Sequence, residues 1–471
     1  MRITEIVKVA TTEFETKMLD LGKNLDTRRL TGELASQVSR ALEDAMASSG
    51  RVALKTFIER YDISGPSLDV DGQTVRFKDR VPKEILTRFG PIDIQRCLYQ
   101  ADRGGAAYVP LDLLWEMQGH YAVPDVREAI GFAMAHMTPD ETAQLFGLCS
   151  LFKPSSQAIK NVVEKIHMEI EPHWETLDQA VRDQIEPSPE TRALVVSMDG
   201  VNVLLREPGS RQRRPSERPG TEQKTEKDST YKNAMVGTIS LYGDGVDAKK
   251  NPCPERVATF STARMPEDRA VTFKNRFDFQ VADMENKVGS EVTKVILCDA
   301  HPVLWNYIDH HERFDDYDKL VDFYHAEEHL SKAAEALFGK KSAKAKAWYN
   351  TSRTKLLEQD DGQSSIIRSM KYYRDILRLS KSRREQLRKE QTFFRRNKHR
   401  MTYADFRSRG LPIGSGPVEA ACKSIVKTRL CRSGMRWSRE GGQRILNLRC
   451  YAKSGLWNEF WKAYMSLKRP A

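Results

Sequence analysis

The chain has 471 residues, a formal net charge of +11, 30% charged side chains and 39% hydrophobic ones. No apolar run approaches the roughly 18 residues of a membrane-crossing helix, so no such span is expected. MRITEIVKVATTEFETKML, at the start, carries acids and no apolar signal-peptide core.

At this length about two to four domains are expected. Residues 1–85 read as a helical region; TRRLTGELASQVSRALEDAMASSG is periodic and stops at Gly50. VDGQTVRFKDR then alternates like a short hairpin. Residues 86–190 read as a small β-ribbon followed by a helix-turn-helix-like region. GPIDIQRCLYQADRGGAAYVPLDLLWEM supplies two strand-like runs around a Gly-Gly turn. PDETAQLFGLCSLFKPSSQAIKNVVEKIHMEI supplies two helices, with Ser155 or Ser156 as the cap of the second. Two ordinary packed helices would read the same way.

The character changes over 191–300. ALVVSMDGVNVLLRE reads as a buried strand, a turn at Asp199-Gly200 and a second strand. Residues 206–230 are almost free of apolar side chains and read as a mobile loop. KNAMVGTISLYGDG is a strand, and MPEDRAVTFKNRFDFQVADMENKVG a helix with acids in its first turn. TKVILCDAH is a further buried strand. Residues 301–407 look wholly helical, and 408–471 add a Gly/Pro-led helix and a last helical segment.

The seven cysteines, at 97, 149, 253, 298, 422, 431 and 450, are dispersed and never in C-x-x-C. They suit free thiols in a reducing compartment, so a cytoplasmic location is expected. The excess of Lys and Arg predicts a polyanionic partner, nucleic acid first.

Three carboxylates carry the candidate chemistry. VVSMD and VILCD both run apolar into an aspartate, Asp199 and Asp299. A strand end fixed by a buried strand holds a carboxylate rigidly, at the rim where α/β sites are built. In LPIGSGPVEAACKSIVK a third acid, Glu419, opens a helix on which Lys423 and Lys427 follow at four-residue steps. Brought together, the three would repel unless divalent cations neutralised them, and Mg²⁺ takes carboxylate, phosphate and water oxygens. Two such ions roughly 3.5–4 Å apart serve both the attacking and the leaving oxygen of a phosphodiester. The lysines would then hold DNA phosphates beside the metals. Taken singly, each Asp also reads as a turn residue, and Glu419 as a helix-dipole acid.

The order strand-Asp, hairpin, helix, strand-Asp, helical insertion, helix-Glu resembles the DDE transposases with an RNase H-like catalytic core. The wording is closer still to the ISKra-type bacterial insertion-sequence transposases, related in plan to the Mutator and hAT superfamilies. SMDGV, CDAH, DFYHAEEHL, MTYADFRSRGLPIGSGPVEAACKSIVKTRL and SGMRWSREGGQRILNLR carry the resemblance, over residues 193–450. It implies an RNase H-like α/β core interrupted by an all-helical insertion, with Asp199, Asp299 and Glu419 as catalytic metal ligands. Mg²⁺ or Mn²⁺ would serve, with two ions per site. CDAH matches a C-x-x-H motif around the second aspartate and gives Cys298 and His301 supporting roles. The implied activity is cleavage at terminal inverted repeats and joining of the freed 3′-hydroxyls to target DNA, by a homodimer or higher oligomer on double-stranded DNA in the nucleoid. A nuclease or resolvase without strand transfer, and a DNA-binding regulator with an inactive core, are the alternatives. The group often has paired cysteines in the β-ribbon; this chain has only Cys97 there, which argues against zinc in that segment.

Cys298, His301, His325 and His329 have zinc-like spacing, but two histidines one turn apart on a helix are more simply packing or rim residues, and zinc is not expected. Trp305 could stack on an unpaired base or fill the core. Further candidate phosphate contacts are Arg211, Arg213, Arg214 and Arg218 in the loop, and Arg383, Arg384, Arg388, Arg395, Arg396, Lys398 and Arg400 on a basic helix. Arg429, Arg432, Arg436 and Trp437, beside the Glu419 helix, are candidates for holding DNA ends.

Overall fold

The computed structural model describes residues 3–24, 30–70, 72–101, 105–149, 152–206, 231–247, 250 and 253–467. The protein is a mixed α/β molecule, and its described residues form one four-stranded and one five-stranded sheet. It forms two compact units, residues 1–180 with 457–471, and residues 181–456. No helix among the described residues is long and apolar enough to cross a membrane.

In the first unit, helices α1 (Ile3–Asn24) and α2 (Gly32–Glu59) precede a four-stranded antiparallel meander. Its strands are β1 (Ser67–Val70), β2 (Gln73–Thr87), β3 (Gly90–Ala101) and β4 (Ala107–Tyr108). The expected hairpin is β1–β2, with Gly72 at a left-handed φ of 78°. β3 alternates as a half-buried strand should: Ile92 and Ile94 point inward, Asp93 and Gln95 outward. Ile92 and Ile94 share an apolar cluster with Ile58 of α2. Cys97 lies 1% exposed among Val75, Tyr99 and Ala101. The Gly-Gly turn begins outside the described residues.

Helices α3 (Pro110–Leu114), α4 (Pro124–His136), α5 (Pro139–Cys149), α6 (Ser156–Ile170) and α7 (Trp174–Arg182) follow. Of the two candidate caps, Ser155 is the one used: its hydroxyl accepts the Ala158 amide at 3.1 Å. Ile159, Val162, Val163, Ile166 and Ile170 form the buried stripe of α6. The last helix, α18 (Trp457–Ser466), belongs to this unit, where the Tyr464 hydroxyl donates to Glu169 at 2.6 Å.

The second unit is built on β5 (Thr191–Leu204), β6 (Tyr231–Gly243), β7 (Glu255–Arg264), β8 (Thr293–Cys298) and β9 (Asp318–Val321), in the order β7-β6-β5-β8-β9. The first three strands are antiparallel; β8 runs parallel to β5, and β9 to β8. Helix α8 (Val271–Lys287) packs on this sheet at Gly237, where a Cβ would stand 2.6 Å from the Phe277 ring. Helices α9 (Pro302–Asp309), α10 (Phe323–Phe338), α11 (Ala343–Glu358), α12 (Gly362–Ile376), α13 (Lys381–Asn397) and α14 (Tyr403–Ser408) continue the chain. Their apolar faces join the sheet in one continuous core, from Leu194 and Val295 through Leu330 to Phe394 and Tyr403. α15 (Gly416–Ala421), a π-helical turn (Cys422–Lys427), α16 (Thr428–Leu430) and α17 (Arg439–Lys453) complete the unit.

Three expectations are corrected here. Asp199-Gly200 is not a turn: β5 continues through it, with Asp199 paired to Val236 and Gly200 to Met235. Val201 and Val203, both buried, carry the pleat onward, and β-branched residues in register outweigh the turn tendency of Asp-Gly. Residues 301–407 are not wholly helical, because Asp318–Val321 adds the edge strand β9. Four residues with two inward apolar side chains are too short for a periodic signal. Finally, Glu267 and Asp268 precede α8 rather than opening it. Arg269 and Ala270 have φ of 49° and 53°, and Glu267 accepts the Phe273 amide at 2.7 Å.

Candidate active site

Asp199, Asp299 and Glu419 line one cleft of about 870 Å³, together with Tyr324, His325, Glu328, Cys422, Lys423, Lys427 and Thr428. The sheet creates the cleft. β5 loses its parallel neighbour after the Val196–Ile296 pair but stays paired with β6, so Asp199 lies where two strands part. The Cys298 thiol marks the fork and accepts the Met198 amide at 3.2 Å. It is fully buried, and burial pushes its pKa up to about 12, so it acts as a neutral pin. Asp199 accepts the Gly200 amide at 2.6 Å and the Cys422 thiol at 3.3 Å. Asp299 follows directly on β8; its carbonyl accepts the Trp305 indole at 2.8 Å, and its carboxylate stands 3.8 Å from His325 Nδ1.

Glu419 arrives on α15, and a buried acid absent from the sequence-based candidates holds that segment in place. Asp322 is 0% exposed. One of its oxygens caps α10 by accepting the His325 amide at 2.7 Å; the other accepts the Ser415 amide, four residues before Glu419. The Asp322 amide donates to the Cys298 carbonyl at 2.9 Å, and the Phe323 amide to Ile413 at 2.9 Å. The strand bearing Asp299, the helix bearing His325 and the loop leading to Glu419 are thus tied at one point. Gly414 lets that loop pass Tyr324, whose ring would lie 2.7 Å from an added Cβ.

The helix after Glu419 is not the regular one expected. Cys422–Lys427 forms a π turn, and the Thr428 hydroxyl closes it on the Lys423 carbonyl at 2.7 Å. On a regular helix Thr428 would lie about two and a half turns from Glu419, on the opposite face. The π turn brings Thr428 into the same lining as Glu419, Lys423 and Lys427. Arg449, 2% exposed, donates to the Ile425 carbonyl at 2.7 Å and to that of Ser424, satisfying carbonyls that the widened turn leaves over.

The carboxylates perturb one another. Burial first, then the charges of Asp199, Asp322, Glu419 and Glu328, push Asp299 up to about 7. Burial, then Asp322 and Asp199, also raise Glu419. Burial and then His329 lower His325, disfavouring its protonated form. Oxygen donors repelling one another in an open cleft fit a hard divalent cation such as Mg²⁺. Among the described residues no group of three or more His, Cys, Asp or Glu side chains stands close enough together to hold a metal ion as placed.

The supporting candidates divide. His325 lines the cleft. His329 stacks on Phe393 at 3.6 Å and bonds Glu390 at 2.5 Å, with its ring 5.0 Å from His325, so it packs behind the rim. His301 is exposed at the start of α9 and outside the cleft lining. Trp305 is 3% exposed under the Arg400 guanidinium, a core residue.

The DNA-contact candidates divide as well. Lys423 and Lys427 are exposed in the cleft, with no carboxylate within 4 Å among the described residues. Arg432, Arg436, Arg395, Arg396, Arg384, Arg388 and Lys398 are exposed outside the lining, and Arg383 is half-buried. Arg429 and Arg400 are buried. Arg429 is 1% exposed and lies 5.1 Å from the Trp437 ring; Arg400 is ion-paired to Asp309. The helical pattern that put them among exposed arginines could not reveal the folding back of the flanking chain. Trp437 is half-buried, its backbone bridged to Leu204 and Arg206 at the end of β5. Arg211, Arg213, Arg214 and Arg218 lie outside the described residues.

Asp322, Tyr324, Glu328, Cys422 and Thr428 were missed. Asp322 had the signature of a helix cap, and His325 and Glu328 the three-residue spacing of one helix face. No protein-family model and no curated protein sequence matches the chain.

Proposed function

We propose that the chain is a DDE transposase of an insertion sequence, with an RNase H-like core interrupted by a helical insertion. One observation carries the reading: Asp199, Asp299 and Glu419, from three distant segments, face a single cleft alongside two exposed lysines. The strand order supports it. Numbered from β5, the sheet runs 3-2-1-4-5, with the first three strands antiparallel and the last two parallel to the first, the arrangement of RNase H-like cores.

In this reading Asp199, Asp299 and Glu419 would hold the metal. Bound Mg²⁺ would supply charge neutralisation and raise the reactivity of the attacking oxygen. Lys423 and Lys427 hold phosphates of the bound duplex, and Asp322 sets where Glu419 stands relative to Asp299. Water attacks phosphorus at the element end and the 3′-oxygen leaves, taking up a proton as the water loses one; that 3′-hydroxyl then attacks a target phosphorus, loses its proton and displaces the target's own 3′-oxygen, which leaves as a hydroxyl, in a second in-line displacement. Exposed Arg395, Arg396, Arg432 and Arg436 extend the duplex contact, and two or more protomers bring two ends together.

The test uses the full-length protein, duplexes carrying the inverted repeats that bracket the reading frame, and a target plasmid. Mg²⁺ or Mn²⁺ should yield nicked ends and joined products. Nicking without joining would make the protein a nuclease or resolvase; binding without nicking would make it a regulator.

A further inference from the structure

A second cavity, of about 750 Å³, lies in the helical part of the larger unit, against α11, α12 and the start of α13. Its lining contains four cations, Lys344, Lys355, Arg378 and Arg383, and no acid. None of the four has a carboxylate within 4 Å among the described residues. Neighbours on the same helices behave differently: Arg353 pairs with Glu327, Arg368 with Asp361 and Arg374 with Asp375. Four cations around one concavity, with no carboxylate in its lining, give it a positive field. An anion with several oxygens could accept from more than one of them.

The same cavity carries aromatic surface. The Trp348 indole is fixed by its bond to Ser369 at 2.8 Å, and the Tyr373 ring is held edge-on to Phe338 at 4.9 Å. Arg383 Nε is oriented by the Ala336 carbonyl at 2.8 Å, and Lys355 lies 3.5 Å from the Ser365 hydroxyl. Cations set beside planar rings match a ligand with a phosphate and a planar base, and the volume is in the range of small-molecule sites. We infer that this cavity binds one nucleotide, its base against Tyr373 beside Trp348 and its phosphates between Lys344, Lys355, Arg378 and Arg383. The ligand is either a free nucleotide or an unpaired nucleotide of a bound strand. The site is separate from the acidic cleft, and the inference stands whether or not that cleft cuts DNA.

The test is binding of ATP and of a five-thymidine single strand to the full-length protein, with EDTA present and about 50 mM salt so that charge contacts are not screened away. Lys344→Gln with Arg378→Gln removes two exposed cations of the cavity; Arg368→Gln with Lys371→Gln removes two exposed cations outside its lining. Saturable ATP binding that weakens at least about tenfold in the first variant and not in the second identifies a free-nucleotide site. The same pattern with the strand alone identifies an unpaired nucleotide as the ligand. Photolysis of bound 8-azido-ATP or of a 5-iodouracil-substituted strand should label peptides containing Trp348 or Tyr373, a readout that needs no variant. Failure of both probes to bind saturably, equal loss in both variants, unchanged binding in the first, or labelling confined to other segments would overturn the inference.

Discussion

Asp322→Ala removes the acceptor shared by two backbone amides, His325 and Ser415, at a position with 0% exposure. Loss of a helix cap costs about 1 kcal/mol. An amide left buried without a partner costs about 1–3 kcal/mol more. Together they predict a loss of about 2–4 kcal/mol, a large share of the 5–15 kcal/mol typical of a domain. Guanidinium unfolding followed by tryptophan fluorescence would read this as a lower midpoint at constant slope. The functional loss should exceed the structural one. Where the variant is still folded, a shift of the Ser415 segment of about 1 Å misplaces Glu419 and should cost about 100-fold in DNA cleavage. Asp322→Asn keeps one carbonyl acceptor, so it satisfies one amide and turns its own N–H₂ on the other; it should fall between wild type and alanine. A midpoint within about 0.5 kcal/mol of wild type, with normal cleavage, would refute the assignment of Asp322 as the tie between these segments.

Asp199→Asn, Asp299→Asn and Glu419→Gln should each reduce cleavage by at least about 100-fold while leaving gel-shift affinity for the element ends near wild type; normal cutting removes that residue from the site. Asp299 sits at about 7 against an ordinary 3.8, so between those values the folded, metal-free protein binds more protons than the unfolded chain. Thermal stability in EDTA should therefore fall as pH rises through that window, Mg²⁺ should flatten the fall, and titrating Mg²⁺ near neutral pH should release protons measurable by calorimetry in two buffers. Lys423→Ala and Lys427→Ala should each lower the slope of log affinity against log salt by about 1, because each removes one phosphate contact. Arg429→Met should leave that slope unchanged and lower the melting temperature, since the side chain is 1% exposed.

The covalent sequence by itself determined a good deal. The apolar runs ending at Met198 and Cys298 determined two buried strands, since side chains with no polar surface have nowhere else to go. The Asp322 and Ser155 caps and the stripe of α6 are likewise local consequences of side-chain chemistry. Three acids could be singled out in the sequence, because each stood beside a strong local signal, and the structure places them in one cleft. Where their side chains lie was not legible, for a physical reason. Asp199 became a mid-strand residue because β6, more than thirty positions away, pairs across it and overrides a two-residue turn preference. The cleft exists because β8 ends while β5 goes on, a fact about the register of two distant strands. Asp322 became a tie, and Arg429 a core residue, through segments folding back from far along the chain. Local chemistry chose the elements and the candidate groups; pairing and packing over long range decided which of those groups face one another.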